Sequence, residues 1–331
     1  MKRIVATLRP RLEILERDDG KWNRREATPA QDLECVALHP GSPDRLFVGS
    51  FGEGVFRSQD GGRNFEHISG REMEKTVTSL AVDPSDPETI FVGTEPSRLY
   101  RSTDAGSSWS TVEGLTDVPS STEWSFPPRP DTHHVRWVEI DPGDPERWYV
   151  GIEAGALVMT PDAGETWVDR PEGSQYDNHT LATHPDAPGR VYAAAGDGYA
   201  ESLDGGESWD HPQQGLEHRY VWGLAVDPGD PDVRLVSAAH GASGAHRANA
   251  ADSHVYRKTG DTPWEELTEN GLPTGSGVLR PAFAPGTDPG RLIAASNHGV
   301  YQTADAGETW KELIRWHDRY GDQTVRDIVA C

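Results

Sequence analysis

One short pattern recurs along the chain. It reads SQDGGRNF from Ser58 to Phe65, STDAGSSW from Ser102 to Trp109, TPDAGETW from Thr160 to Trp167, SLDGGESW from Ser202 to Trp209 and TADAGETW from Thr303 to Trp310. A degraded sixth copy, KTGDTPW, spans Lys258 to Trp264. In the regular copies a hydroxyl or similarly placed side chain precedes an Asp by two residues, and a Gly follows the Asp by two. That order predicts a tight turn in which the Asp accepts from backbone N–H groups and the Gly takes positive φ. The closing aromatic is expected to open a strand and pack inward.

A second pattern precedes each turn. Apolar strands run into a Pro-bearing loop and out again, as in CVALHPGSPDRLFVGS from Cys35, SLAVDPSDPETIFVGT from Ser79 and GLAVDPGDPDVRLVSA from Gly223. Each unit therefore reads strand, Pro-Asp turn, strand, loop, strand, Asp turn, strand. Four antiparallel strands in about forty residues is the plan of a propeller blade. The terminal segment TVRDIVAC, from Thr324, matches only the first strand of a unit, whereas RIVATL, RLEILERDDGKW and WNRREA near the other end match strands two, three and four. Six units plus one shared between the ends predict an all-β, seven-bladed propeller closed by the C-terminal strand. Its blades are expected at 33–70, 77–113, 135–171, 178–212, 221–268 and 278–314, with a composite of 324–331 and 3–28. Closure of this kind removes a free sheet edge.

The S-x-D-x-G-x-T-W pattern resembles the Asp-box, or BNR, repeat of the sialidase-like propellers, a group that also includes xyloglucanases, the sortilin ectodomain and photosystem assembly propellers. The likeness covers nearly the whole chain and bears on fold, which by itself assigns no function. It implies that Asp60, Asp104, Asp162, Asp204 and Asp305 are structural and lie opposite the binding face. A true sialidase is not expected: the chain offers Arg136, Arg280 and Arg326 as mouth arginines but no Arg-Ile-Pro start and no clear Tyr/Glu pair.

Composition agrees with short strands and many turns, since 35 Gly and 25 Pro accompany only 35% hydrophobic residues among 331. The sequence has no apolar run of membrane-spanning length, and its first residues lack a signal-peptide pattern, so neither a membrane span nor export is expected. Asp and Glu total 54 against 31 Lys and Arg, a net charge of −23 that repels nucleic acid and anionic membranes. Only 5 of those basic residues are Lys. The acidic excess and the Arg bias read as adaptation to a salt-rich cytoplasm, although a GC-rich genome also favours Arg. Cys35 and Cys331 are too few for a disulfide scaffold, and a reduced cytosolic protein is expected.

Propeller geometry places the Asp turns and Pro-Asp turns on the bottom face. The loops between strands two and three, and those joining blades, share the top. Successive Asp-turn aspartates are evenly spaced except from Asp104 to Asp162 and from Asp204 to Asp261, each about a dozen residues longer. The excess falls in Gly114–His134 and Ala239–His254, both on the top face, where long loops commonly carry function.

Nine of the 13 histidines map to the same face: His133, His134, His179, His218, His240, His246, His254, His298 and His317. Trp137, Tyr176, Arg219, Tyr220, Asn297, Arg319 and Asp327 join them. Six positions before each loop Pro, the innermost strands carry Glu34, Thr78, Arg136, His179, Trp222 and Leu279, with Arg326 as the composite counterpart, a series expected at the channel mouth. Three positions before the Pro, Ala37, Ala81, Ala182, Ala225 and Ala282 contrast with Glu139 in blade three. A carboxylate there must be paired, with Arg136 the expected partner, or protonated.

These features predict a top-face site for a polar small molecule or glycan. Its expected ligand-binding residues are His133, His134, Arg136, Trp137, Tyr176, His179, His218, Arg219, Trp222, His240, Arg280, His298 and Arg326. Glycoside chemistry would draw on Glu139, Glu153 and Asp177, because it needs two facing carboxylates. A non-catalytic protein-interaction platform is the alternative. No cofactor or metal is assigned, and no HxH or HExxH pattern occurs, but imidazoles converging from several blades leave open a divalent metal on the top-face histidines.

Overall fold

The computed structural model describes residues 1–316 and 319–331. It is a ring of seven antiparallel blades around a central channel. Blade one runs outward through Leu33–His39, Ser42–Ser50, Gly54–Ser58 and Glu66–His67. Blades two, three and six repeat this plan from innermost strands Val77–Val82, Val135–Asp141 and Ala282–Pro285. Blade four has three full strands, its fourth reduced to the single bridge between Glu201 and Asp210. Blade five begins with Tyr220–Asp227 and carries an extra pairing between Asp252–Thr259 and Gly275–Ser276. Among the described residues no helix is long and apolar enough to cross a membrane.

The second strand of each blade is covered by neighbouring blades on both faces, which is why Leu46–Ser50 and Ile90–Thr94 read as unbroken apolar or small runs. Glycine sets how closely the blades approach. A Cβ at Gly49 would stand 2.4 Å from Cys35 Sγ and 2.5 Å from Val77 Cγ1, and one at Gly93 would stand 2.5 Å from Val135 Cγ1. Each of these glycines admits the innermost strand of the next blade.

The recurrent turn has a common bonding plan. At Asp60 the carboxylate accepts from Asn64 N at 2.9 Å and from Ser58 Oγ at 2.9 Å, while Gly62 N donates to Ser58 Oγ at 2.7 Å. Asp104, Asp162, Asp204 and Asp305 repeat it with Ser102, Thr160, Ser202 and Thr303. At Asp104 and Asp204 the hydroxyls of Ser108 and Ser208 lead the bonds that hold the carboxyl down at about 2. The aromatics of later turns, Trp209, Trp264 and Trp310, are buried as expected, and Phe65, Trp109 and Trp167 are half-buried.

The seventh blade joins the two ends of the chain. Asp327–Ala330 pairs with Arg3–Leu8, placing Ile4 opposite Ala330 and Val5 opposite Val329, and Arg11–Asp18 and Lys21–Ala27 complete the sheet. Asp327 then crosses to blade one, its carboxylate accepting from Val36 N at 2.9 Å.

Candidate functional site

The innermost strands deliver their first residues to one end of the channel. Glu34, Thr78, Arg136, Trp222 and Arg326 line a cavity of about 460 Å³ there. It adjoins an outer pocket of about 620 Å³ with which it shares Arg9, His246 and Arg326. Two members of the aligned series lie deeper: His179 and Leu279 are fully buried.

Both sequence insertions close over this mouth. Within Gly114–His134, Leu115, Val118 and Trp124 anchor the segment in the core against blade three, leaving Phe126, Pro127, Pro128 and Arg129 on the cavity wall. The Arg129 guanidinium lies 4.7 Å from the Phe126 ring centroid and 4.9 Å from that of Phe51, and it pairs with Glu95 at 2.5 Å. In Ala239–His254 a short helix, Ala242–His246, presents Ala242, Ser243 and His246, and Arg247 follows it on the cavity wall. His246 Nε2 meets the Tyr220 hydroxyl at 3.0 Å, and burial followed by the charge of Arg280 pushes its imidazole down to about 2, which keeps it neutral.

Two arginines flank Trp222, and a third lies at the same mouth. Arg326 forms an ion pair with Glu34. Arg136 lies 5.0 Å from the Trp222 ring centroid and Arg280 only 3.7 Å from it. Arg280 is fully buried, and among the described residues none of its guanidinium nitrogens has a hydrogen-bond partner. Burial and then the charges of Arg326 and Arg136 push its pKa well below the usual arginine range. A guanidinium keeps its proton in proteins, so that push measures how poorly the charge is compensated. Trp222 also packs on the His179 ring at 4.1 Å, so its indole is a wedge between buried cations and imidazoles rather than an open platform.

Beside Arg136 stands an acidic cluster. Glu153, Asp177 and His179 each turn one ligand-type atom to within 4.8 Å of the others. His134 Nε2 contacts Glu153 Oε2 at 2.9 Å, and Arg136 Nε approaches the same oxygen to 3.7 Å. Burial opposes the Glu153 charge, but the His134 hydrogen bond and the neighbouring positive charges outweigh it and hold the carboxyl well below the usual range. Burial pushes Asp177 up, and the charge of Glu153 adds to that push against His179.

Glu139 departs from the expected pairing with Arg136. Its carboxylate accepts from Thr183 N at 3.0 Å, Thr183 Oγ1 at 2.8 Å and Trp137 Nε1 at 3.2 Å. Arg136 approaches Glu153 instead, because Glu139 lies three residues further along the same strand and is held by Thr183 of the next blade. Burial outweighs the three hydrogen bonds and raises the Glu139 carboxyl to about 7.

The other residues singled out from the sequence scatter around this centre. His133 packs edge-on against Trp124 at 5.4 Å. His218 stacks on His254 at 3.9 Å and lies 4.2 Å from His240, forming a separate rim cluster on blade five. His298 is exposed on the rim of blade six, Tyr176 is 47% exposed outside the cavity, and Arg219 is exposed. Arg319 pairs with Glu26, and His317 lies outside the described residues. Phe51, Phe126, Arg129, Ser243 and Arg247 were not singled out, although the last four fall inside the two insertions whose length marked them.

No protein-family model matches the sequence, and no curated protein matches it. Among solved structures, an ancestral GH74 enzyme is similar with a TM-score of 0.66 and 16% identity, covering 94% of this chain and 40% of that one. The GH74 xyloglucanase from Xanthomonas campestris gives 0.64 and 19%, covering 93% and 53%. This chain thus spans about half or less of the GH74 chains. YCF48 bound to D1 peptide gives 0.59 and 14%, with 89% and 91% covered. At these identities the likeness shows the seven-bladed propeller fold and leaves function open.

Proposed function

We propose that the channel mouth binds a polar small molecule or glycan bearing a carboxylate. The observation that carries this reading is Arg280, a fully buried guanidinium whose nitrogens have no hydrogen-bond partner among the described residues. Arg280 lies behind the cavity wall and is not among the residues that line it. Its uncompensated charge, with Arg136 and Arg326 on the lining, favours an anion at the mouth, and a carboxylate supplies a forked acceptor matched to guanidinium geometry. Arg326 and Arg136 add positive charge beside it, while Phe51, Phe126 and Tyr220 give the cavity apolar and aromatic walls of the kind that orient sugar rings.

Calorimetry with uronate oligosaccharides and their neutral counterparts, in molar KCl, tests this reading. The acidic sugar is expected to bind and the neutral one to bind at least tenfold more weakly, with Arg280→Met removing the difference. Equal binding of both sugars, or an unaffected Arg280→Met variant, overturns it. Release of reducing ends in the same mixtures would add glycoside hydrolysis, the chemistry of the GH74 neighbours.

A second reading, a protein-interaction platform, is favoured by the end-to-end match in length with YCF48, the neighbour described as bound to a peptide. A peptide offers the same anion as its terminal carboxylate. Binding of peptides with a free C-terminus, but not of amidated peptides or uronates, would select it.

A further inference from the structure

The buried imidazole of His179 is set for a task that anion binding does not use. Its Nδ1 lies 2.6 Å from the Val221 carbonyl oxygen, so Nδ1 carries the proton and donates. The lone pair is thereby left on Nε2. That atom is buried and has no hydrogen-bond partner among the described residues, and it faces Asp177 Oδ2 at 3.6 Å, beyond hydrogen-bond range. His179 itself is 0% exposed. A buried lone pair that faces carboxylate oxygens at the cavity wall is repelled by them unless something positive lies between.

The surroundings fix the two carboxylates as firmly as the imidazole. Asp177 Oδ1 accepts from Ala154 N at 2.9 Å, which leaves Oδ2 for the gap. Room for that carboxylate exists because residue 196 is glycine: a Cβ there would stand 1.9 Å from Asp177 Oδ2. Glu153 is oriented by His134 at 2.9 Å. Outer partners of this sort, a carbonyl on the far ring nitrogen and hydrogen bonds to the carboxylates, are what orient metal ligands.

We propose that Glu153, Asp177 and His179 form a binding site for a first-row divalent cation at the wall of the channel mouth. One imidazole nitrogen and two carboxylate oxygens suit Zn²⁺ or Mn²⁺ better than Mg²⁺, which keeps its waters and favours oxygen. Ligand bonds of about 2.1 Å require donors roughly 3 to 3.5 Å apart. The three donors, all within 4.8 Å of one another, reach that spacing by small side-chain movements. Two carboxylates balance the charge of the ion, while Arg136 lies behind Glu153, at 3.7 Å from its oxygen. Glu153 and Asp177 both line the cavity, so the ion would keep coordination positions open to it. The site stands independently of the carboxylate reading, which rests on Arg280.

The test uses the full chain stripped with a chelator and titrated calorimetrically with Zn²⁺, Mn²⁺ and Mg²⁺, with Co²⁺ absorption as a spectroscopic report on the ligands. One equivalent of Zn²⁺ is expected to bind at least tenfold more tightly than Mg²⁺. Asp177→Asn, which preserves shape, and Gly196→Ala, which crowds the carboxylate, should each weaken binding at least tenfold and change the Co²⁺ spectrum, with circular dichroism reporting the fold. His240→Gln and His254→Gln, in the rim cluster, should leave binding unchanged. Binding that survives Asp177→Asn, binding lost only in the rim variants, or no saturable binding overturns the proposal; in the last case a shared proton holds the cluster together.

Discussion

The central carbon of the Arg280 guanidinium lies 3.7 Å from the ring centroid of Trp222, and none of its nitrogens has a hydrogen-bond partner among the described residues. Cation–π attraction offsets part of the desolvation cost but leaves the donors unused. Binding and stability should therefore move in opposite directions when the charge is removed. Arg280→Met is expected to raise the melting temperature of the free protein and to weaken carboxylate binding by about 1.5 to 3 kcal/mol, the usual worth of charged hydrogen bonds. Calorimetry and thermal melts on the same preparation check both halves. A lower melting point in the free variant would show that Arg280 is a structural strut.

Trp222 gives a different signature. Both Arg280 and His179 pack on its indole. Removing a buried indole of this size should cost about 3 to 5 kcal/mol of stability. Trp222→Ala is thus expected to lose binding and stability together, while Trp222→Phe retains most of both. Denaturant midpoints distinguish the pair from Arg280→Met, whose effects diverge.

Much of this arrangement was legible in the sequence, and the limits are physical. The turn pattern and the apolar second strands specify blades because each fixes local backbone and burial at once. The register also placed Glu34, Arg136, Trp222 and Arg326 at one channel end, since strands aligned by their loops must open together. What alignment could not give was direction within a strand. Arg136 turns to Glu153, in a loop of its own blade, while Glu139 is taken by Thr183 on the innermost strand of blade four, and neither partner is a sequence neighbour. Phe126 and Arg129 were hidden for the same reason: an aperiodic insertion shows its length but not which residues face the core. His218, His240 and His254 gather on blade five instead of the mouth because they enter from one blade's own loops.

Glu139 should impose a pH dependence. Burial raises its carboxyl to about 7, against an ordinary value of 4.5. A raised carboxyl binds more proton in the folded state, so its ionisation destabilises the fold as pH rises from about 4.5 to 7, and the effect is flat outside that window. The stability of wild type relative to Glu139→Ala is therefore expected to fall by about 1 to 3 kcal/mol between pH 5 and 8. Denaturant melts at the two pH values check this. A difference independent of pH would show that the three hydrogen bonds from Thr183 and Trp137 keep the group ionised throughout.

Ring closure should depend on the last strand. Asp327–Ala330 pairs with Arg3–Leu8, and Asp327 accepts from Val36 N across the junction to blade one. Deleting Thr324 to Cys331 strips the innermost strand from the seventh blade, exposes the inner edge of Arg3–Leu8 and removes Arg326 from its pair with Glu34. Soluble monomer is expected to fall sharply, as read by size-exclusion chromatography. An unchanged melting point in the truncated chain would mean that the ring holds without this seam.

Salt sets the remaining expectation. A net charge of −23 on a chain of this size repels itself unless screened. The Debye length is about 3 Å in molar salt and about 10 Å at 0.1 M, so repulsion between exposed carboxylates reaches several neighbours only in the dilute case. Lowering KCl from molar to about 0.1 M is therefore expected to lower the melting temperature. Surface pairs such as Arg45 with Glu88 and Arg57 with Glu66 strengthen as screening falls and work in the opposite sense. Exposed pairs of this kind contribute little individually, and the acidic excess remains after every basic residue is counted. A scan of melting temperature against KCl, with a non-ionic osmolyte as control, reads the balance directly: a melting point that holds or rises at low salt would mean that ion pairing outweighs self-repulsion and that the acidic surface is no adaptation to salt.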